Sequence, residues 1–181
     1  MGFPDRIERS VELAQRVIRT TSSLDPWGYV VHVAHGEMWP GSWAAWQRHG
    51  EASLRKLIQG GADPLRLCVE NMETIPPEQS LSLASRVGTS TCLDVGHLWR
   101  AGRDPVFYLN ERFARARIVH LHGWDGHRDH CSLKATPLRQ IRPLIERLCD
   151  PDFGGLVTLE VFNEEDLLSS WERLAELVQT I

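Results

Sequence analysis

The stretch IVHLHGWDGHRDHCSL, residues 118–133, decides the fold and the chemistry expected of this chain. It opens as an apolar, β-branched run that is typical of a buried strand, and it continues into a polar loop. Its sixteen residues include four histidines and two aspartates, which are side chains that bind metal ions. The weight of this observation depends on whether the other apolar runs of the chain end in the same way.

Four other short apolar runs occur in the chain, and helical patterns separate them. The runs are continuous rather than alternating, which predicts strands that are buried on both faces and paired in parallel. The pattern therefore predicts an α/β fold with a parallel sheet, and the family resemblance given below makes this sheet part of a (β/α) TIM barrel. The predicted strands are residues 29–36, 65–71, 90–94, 117–123 and 154–162, and the predicted helices are residues 4–24, 43–59, 76–88, 104–114, 137–148 and 164–179.

Each predicted strand ends near a side chain that can bind a metal. In a βα barrel the carboxyl ends of the strands form the edge that carries the chemistry. Taken singly, such residues have plainer explanations, since an aspartate after a strand is usually a helix cap and a histidine a satisfied polar group. Their repetition over five strands instead predicts a divalent-metal site with mixed oxygen and nitrogen ligands, because neighbouring carboxylates repel without a cation. The five residues are His32, Glu70, Asp94, His120 and Glu160.

A D-x-x-H motif, Asp94 and His97, follows the third predicted strand. This spacing can direct two ligands at one or two metal ions. The alternative is that His97 only caps the segment that follows.

Composition limits the partners and the compartment. The chain has 181 residues, enough for one domain with a core, and a formal net charge of −4 that argues against a polyanion such as DNA as the main partner. Its four cysteines are widely spaced, the amino terminus has no signal-peptide core, and no apolar run approaches the roughly 20 residues that span a bilayer. We expect a cytoplasmic, reduced protein without membrane contact.

Five motifs carry a resemblance to a known family. They are VVHVAHG, CVENM, CLDVGH, VHLHGWDGHRDH and VTLEVFN, and they occur in family order over essentially the whole chain. The sequence resembles the xylose-isomerase-like TIM barrel superfamily, which includes endonuclease IV-type enzymes and sugar epimerases. The resemblance implies one barrel domain over residues 1–181.

The resemblance also implies a ligand set for a divalent ion, for which zinc, manganese and iron are all suitable. One metal would lie between the strand-end residues Glu70, Asp94, His120 and Glu160. The histidines and the Asp-His pair that hold neighbouring metals in the nuclease branch correspond to His32, His97, Asp129 and His130.

Within the superfamily, CLDVGHL, HLHG…RDHCSL and TLEVFN are most similar to the cobamide-remodelling phosphodiesterases. These are metal-dependent hydrolases that detach the lower-ligand nucleotide from a corrinoid. We therefore expect a hydrolase of a phosphodiester, with a corrinoid as the implied small-molecule substrate. Its expected catalytic residues are Glu70, Glu160 and His130, and its expected substrate-binding residues are His35, Asn71, His122 and Trp124.

Tryptophans near the predicted loops could form an apolar wall for a large planar ligand. The candidates are Trp39, Trp43, Trp46 and Trp124. For Trp43 and Trp46 we favour ordinary packing of a helix against the core.

The resemblance covers part of a barrel only. A closed barrel has eight strands, and the five predicted here match the last five, so the amino-terminal strands are expected to be missing. An open sheet would expose apolar surface at its edges, so we expect a partner chain or an oligomer to cover them.

Three alternative functions remain open at this point. The first is a sugar isomerase or epimerase on the same metal site, with Glu70 and Glu160 as proton-transfer groups. The second is an abasic-site endonuclease, which the acidic charge disfavours. The third is an incomplete, non-catalytic barrel fragment.

Overall fold

A computed structural model describes residues 3–33 and 43–181, with side chains from residue 6 onward. Strands and helices alternate along those residues, which confirms the α/β class and the pattern of a partial TIM barrel. The strands are β1 (Tyr29–Val31), β2 (Leu67–Glu70), β3 (Ser90–Asp94), β4 (Ala116–Leu121) and β5 (Leu156–Leu159). The α-helices are α1 (Phe3–Thr21), α2 (Trp43–Gln59), α3 (Pro77–Val87), α4 (Val95–Arg100), α5 (Pro105–Arg112), α6 (Leu138–Leu148) and α7 (Glu164–Val178). Within the described ranges, no helix is both long enough and apolar enough to cross a membrane.

The six predicted helices and five predicted strands are all present, and one helix was not predicted. Helix α4 (Val95–Arg100) begins directly after β3, in a stretch to which no helix was assigned from sequence. Its six residues are too few to give a helical repeat in the sequence, so the pattern could not reveal it. Residues 34–42, which include His35 and Trp39, lie outside the described part of the chain.

The chain divides into two compact units, residues 1–91 and 92–181. That division leaves the prediction of a single domain untested. Strand β3 crosses from one unit into the other, and its residues are buried throughout.

The first unit is built on the parallel pair of β1 and β2, in which Val30 lies beside Cys68. Helix α2 covers this pair with Trp46, which is fully buried and donates a hydrogen bond from its indole Nε1 to the carbonyl of Val33 at 3.2 Å. Trp43 packs at the margin of the same core. Both tryptophans therefore serve in helix packing, as the sequence favoured.

The second unit is built on the parallel pair of β4 and β5, in which Val119 lies beside Val157. Helix α6 packs against both α5 and α7. Leucine and isoleucine side chains from α6 and α7 are buried in this unit, as are most residues of β4. The carboxyl end of β4 is thereby held on a rigid support.

The expected burial of both strand faces holds for β2, β3 and most of β4, and it is wrong for β1 and β5. Val30 is 37% exposed, and in β5 Leu156 and Val157 are 47% and 37% exposed. In the described residues β5 pairs with β4 on one side. A strand with one neighbour leaves the other side and part of its faces in solvent, which explains the exposure.

Candidate metal centre

Asp94 is the fully buried last residue of β3, and it also begins the next helix. Its Oδ1 accepts a hydrogen bond from the backbone N–H of His97 at 2.7 Å, which caps the amino terminus of α4. The D-x-x-H motif is therefore the first turn of a helix. This turn directs the His97 side chain back to the carboxylate, where its Nδ1 lies 3.5 Å from Asp94 Oδ1. The cap and the ligand explanations of the motif are compatible.

His122 is fully buried just past β4, and both of its ring nitrogens have partners. Nδ1 accepts a hydrogen bond from the backbone N–H of His130 at 2.8 Å and also lies 3.2 Å from the carbonyl oxygen of Gly123. Nε2 donates to the Asp94 carboxylate at 3.1 and 3.2 Å. Burial alone would lower the pKa of His122, but the hydrogen bond and charge of Asp94 outweigh it and raise that pKa.

His130 completes a cluster of one carboxylate and three imidazoles. The potential ligand atoms of Asp94, His97, His122 and His130 lie within 4.8 Å of one another, and the first three side chains are buried. His130 has a left-handed backbone with φ of 52°, which is uncommon outside glycine. Its N–H bond to His122 holds it in this conformation.

A second group adjoins the first and shares Asp94 with it. The ligand atoms of Asp94, His120 and Glu160 also lie within 4.8 Å of one another. His120 Nδ1 is 2.9 Å from Glu160 Oε2 and 4.0 Å from Asp94 Oδ2. Glu160 Oε2 is in turn 3.6 Å from His130 Nε2, so the two groups meet at both Asp94 and Glu160.

In the first unit, Glu70 and His32 form a close pair at the ends of β2 and β1. Glu70 is 2% exposed, and its Oε2 lies 2.6 Å from His32 Nε2. The side chain of His32 is 56% exposed. Asn71 follows Glu70 and is fully buried. A buried carboxylate needs such a partner, because its charge is costly away from water.

Asp129 lies beside the four-residue cluster, between Arg100 and His130, and its predicted role as a metal ligand stays a prediction. Its Oδ2 accepts a hydrogen bond from Arg100 at 2.6 Å, and its Oδ1 is 3.3 Å from His130 Nδ1. Burial alone would raise the pKa of Asp129, but the Arg100 hydrogen bond and nearby charges lower it. The Arg100 guanidinium also lies 5.8 Å from the ring centroid of Trp124, within cation–π range.

Two other polar residues of the 118–133 stretch form a solvated turn. The Asp125 carboxylate accepts backbone hydrogen bonds from His127 at 2.8 Å and Arg128 at 2.7 Å, and these bonds lower the pKa of Asp125. Asp125 and His127 are both exposed. The loop thus divides its histidines between a solvated turn and the buried cluster.

Helix α7 holds the loop that carries His130. The buried Asp166 accepts hydrogen bonds from the backbone N–H of Ser132 at 2.9 Å and from the Asn163 amide at 2.6 Å. One turn later, the Ser170 hydroxyl accepts from the backbone N–H of Leu133 at 3.0 Å. These bonds fix the backbone directly after His130.

The donor chemistry of the four-residue cluster fits a divalent metal. Imidazole and carboxylate ligands suit zinc, manganese and iron. Since both nitrogens of His122 are already bonded to protein, the residues best disposed to hold an ion are Asp94, His97 and His130, with His122 orienting two of them. Close packing of buried imidazoles around a carboxylate is otherwise hard to justify by stability alone.

These features define an α/β barrel-type chain whose strand ends form a buried histidine and carboxylate centre. The chain belongs to the xylose isomerase-like TIM barrel family, whose model matches residues 1–181. That family is generally enzymatic and often uses divalent metals. No curated protein matches the chain significantly.

Sequence reasoning missed two supports of the centre and assigned a third residue another role. No sequence pattern marked Gly96 or Asp166, because each acts on a residue distant in sequence. Gly96 leaves space for the ring of His122, and Asp166 accepts a hydrogen bond from the backbone of Ser132. His122 was predicted to bind substrate, and that role stays a prediction. In the structure it is fully buried and bonded to Asp94. Its position two residues after His120 was the available signal, since alternate residues of a strand share a face.

We predict that Gly96→Ala destabilises the protein and lowers its metal content. A Cβ at position 96 would overlap the imidazole of His122, so the ring must leave its place between Asp94 and His130. Alanine in a helix normally stabilises by about 1 kcal/mol relative to glycine, so a lower melting temperature would identify the clash. Gly154→Ala is the matched control, because a Cβ there meets open space. Equal melting temperatures and metal contents for both variants would contradict the packing argument.

We predict that Asp166→Ala lowers the free energy of unfolding by about 1–2 kcal/mol at neutral pH, because the N–H of Ser132 loses its charged acceptor. The hydrogen bond from Asn163 is the main cause that lowers the pKa of Asp166. The contribution of the Asp166 carboxylate to the free energy of unfolding is therefore present above its unfolded-state pKa and is lost as pH falls through its lower folded-state pKa.

Urea unfolding of both proteins over a pH series tests this prediction. Glu165→Ala is the control, since it removes a charge from the same helical turn without the Ser132 contact. A difference from wild type that persists unchanged at acid pH would exclude the ionised carboxylate as its source.

Proposed function

We propose that the chain is a divalent-metal-dependent hydrolase of a phosphodiester, resembling the enzymes that remove the nucleotide loop of cobamides. The observation that carries this proposal is the buried cluster of Asp94, His97, His122 and His130. Its position next to the His120 and Glu160 pair supports a centre with room for two ions. Membership of a generally enzymatic family adds to this support.

The proposed ligands divide between the two groups. Asp94 would contribute one oxygen to each ion, His97 and His130 would hold one ion, and His120 and Glu160 the other. A bound divalent ion would lower the pKa of a water molecule and neutralise charge on the phosphoryl oxygens. Glu70, at the end of β2, stays a predicted metal ligand, and His32 is placed to orient its carboxylate.

The proposed catalytic residues are Glu70, Glu160 and His130. The side chain of Glu160 is 27% exposed, which makes it the most accessible carboxylate of its group and the best placed to take a proton from water. His130, 20% exposed, lies beside it and can pass a proton toward solvent. The substrate-binding roles of His35, Asn71, His122 and Trp124 stay predictions.

We predict that the purified chain contains a divalent metal and that His130→Gln or Asp94→Asn lowers the metal content at least twofold. Glu70→Gln is expected to reduce it as well. His127→Gln is the matched control, because His127 lies on the same loop but is exposed. Elemental analysis of the purified variants checks this, with circular dichroism to verify folding. Wild-type metal content in the folded His130 and Asp94 variants would refute the ligand assignment.

Incubation of the metal-loaded chain with an adenosylated cobamide, followed by mass spectrometry, tests the reaction itself. Release of the nucleotide-loop riboside is expected, with loss of activity in Glu160→Gln. Turnover of ketose sugars without any phosphodiester hydrolysis would replace this proposal by the isomerase or epimerase alternative. Metal binding without either reaction would favour the non-catalytic fragment.

We also propose that a second copy of the chain covers an apolar groove of about 350 Å³ in the second unit. The groove is lined by residues of α6, α7 and β5, including Val157 and Trp171, and none of its lining residues is charged. Exposure of an uncharged apolar groove to water is unfavourable, and a symmetric contact between two copies would bury the groove of each. Sedimentation equilibrium is expected to give a dimer for wild type and a monomer for Trp171→Glu. A wild-type monomer at all concentrations would exclude this arrangement.

The cytoplasmic location stays a prediction.

A further inference from the structure

Three nearly parallel rings extend outward from the buried cluster. The ring of His130 stacks on that of His122 with centroids 4.0 Å apart and an interplanar angle of 11°. The ring of Phe162 stacks on His130 in turn, at 4.8 Å and 20°. Burial falls steeply along this column, since His122 is fully buried while Phe162 is 76% exposed.

Phe162 lies in the short connection between β5 and α7. Glu160, two residues earlier, contacts His120 and His130, and Asn163, the next residue, caps α7 by accepting a hydrogen bond from the N–H of Asp166 at 2.8 Å. The backbone is therefore fixed on both sides of Phe162.

The exposed face of Phe162 is thus a flat apolar surface at the margin of a polar centre. Single exposed apolar residues are common on proteins and need no explanation. This ring differs because it is parallel to a candidate metal ligand and because its inner face is already occupied by His130. A planar group on its outer face would continue the column.

We propose that Phe162 is a specificity-determining residue that stacks against a heteroaromatic base of the substrate. This inference rests on the proposed function, because it assigns the phosphoryl group of the same substrate to the adjoining metal centre. The class of ligand it predicts is nucleotide-like, with a base joined through a sugar to a phosphate. The sugar would span from the outer face of Phe162 to the vicinity of Glu160 and His130.

The test compares two probes that share a ribose and a 5-phosphate, adenosine 5′-monophosphate, which carries a base, and ribose 5-phosphate, which has a hydroxyl in its place. Titration calorimetry with the metal-loaded full chain gives a dissociation constant for each. Stacking of a base on an aromatic side chain is expected to favour the nucleotide by about 5- to 100-fold. Phe162→Leu should bring the two constants close together, whereas Phe162→Trp should retain the preference.

Phe107→Leu is the matched control. Phe107 is a phenylalanine of α5 in the same unit, 57% exposed, and its ring contacts Tyr108 rather than a residue of the metal centre. This variant should bind both probes as wild type does. It separates the loss of a stacking surface from a general effect of removing an exposed ring.

Equal affinities of wild type for the two probes, or the same preference in Phe162→Leu, would overturn the stacking role. No measurable binding of the nucleotide would overturn it too. The proposed function fails separately: a chain that prefers the nucleotide through Phe162 but hydrolyses no phosphodiester retains the stacking site and loses the hydrolase. A chain that hydrolyses a phosphodiester but shows no preference for the base retains the proposed hydrolase function and loses the stacking site.

Discussion

The buried carboxylate of Asp94 is the constraint on which the centre of the second unit depends. A carboxylate with no exposure to water is unfavourable unless several partners compensate its charge. Here the backbone N–H of His97 and the ring of His122 provide that compensation. Each of these bonds also has a geometric consequence, because one begins α4 and the other holds the ring of His122 against the carboxylate. The same two contacts that make burial tolerable therefore arrange the imidazoles around the carboxylate.

The loop after β4 is held from two directions. On the inner side, Gly123 pairs with Cys131 through a backbone bridge, and the N–H of His130 bonds to His122. On the outer side, Asp166 and Ser170 of α7 bond the backbone just after His130. A side chain at Gly123 would overlap the backbone of Ser132, so the bridge requires glycine there. The left-handed conformation of His130 is the result of these opposing restraints, and it is what turns the ring toward the cluster.

The strand ends could be predicted from sequence because they follow from chain order and residue type alone. Apolar runs and their final polar residues need no tertiary information, and Asp94, His120 and Glu160 do lie together at the strand ends of the second unit. The loop was harder, because no periodicity indicates which of its side chains turns inward. Asp129 looked equivalent to His130, but its carboxylate bonds to Arg100, a residue that no sequence pattern connects to it. The exposure of β5 was likewise not predictable, because the residues of a strand do not show which other elements cover it.

The double role of Asp94 affects how function and folding can be separated in this protein. Loss of its carboxylate removes a helix cap, the partner of His122 and a shared ligand together, so no single measurement on such a variant isolates one of these roles. His130 is different, because its hydrogen bond to His122 is made by its backbone N–H, while its ring makes the stacking contacts with His122 and Phe162. A change of the ring therefore leaves that bond in place. A variant at His130 can therefore keep the backbone bond that holds the loop on His122, whereas a variant at Asp94 loses the helix cap and the partner of His122 together.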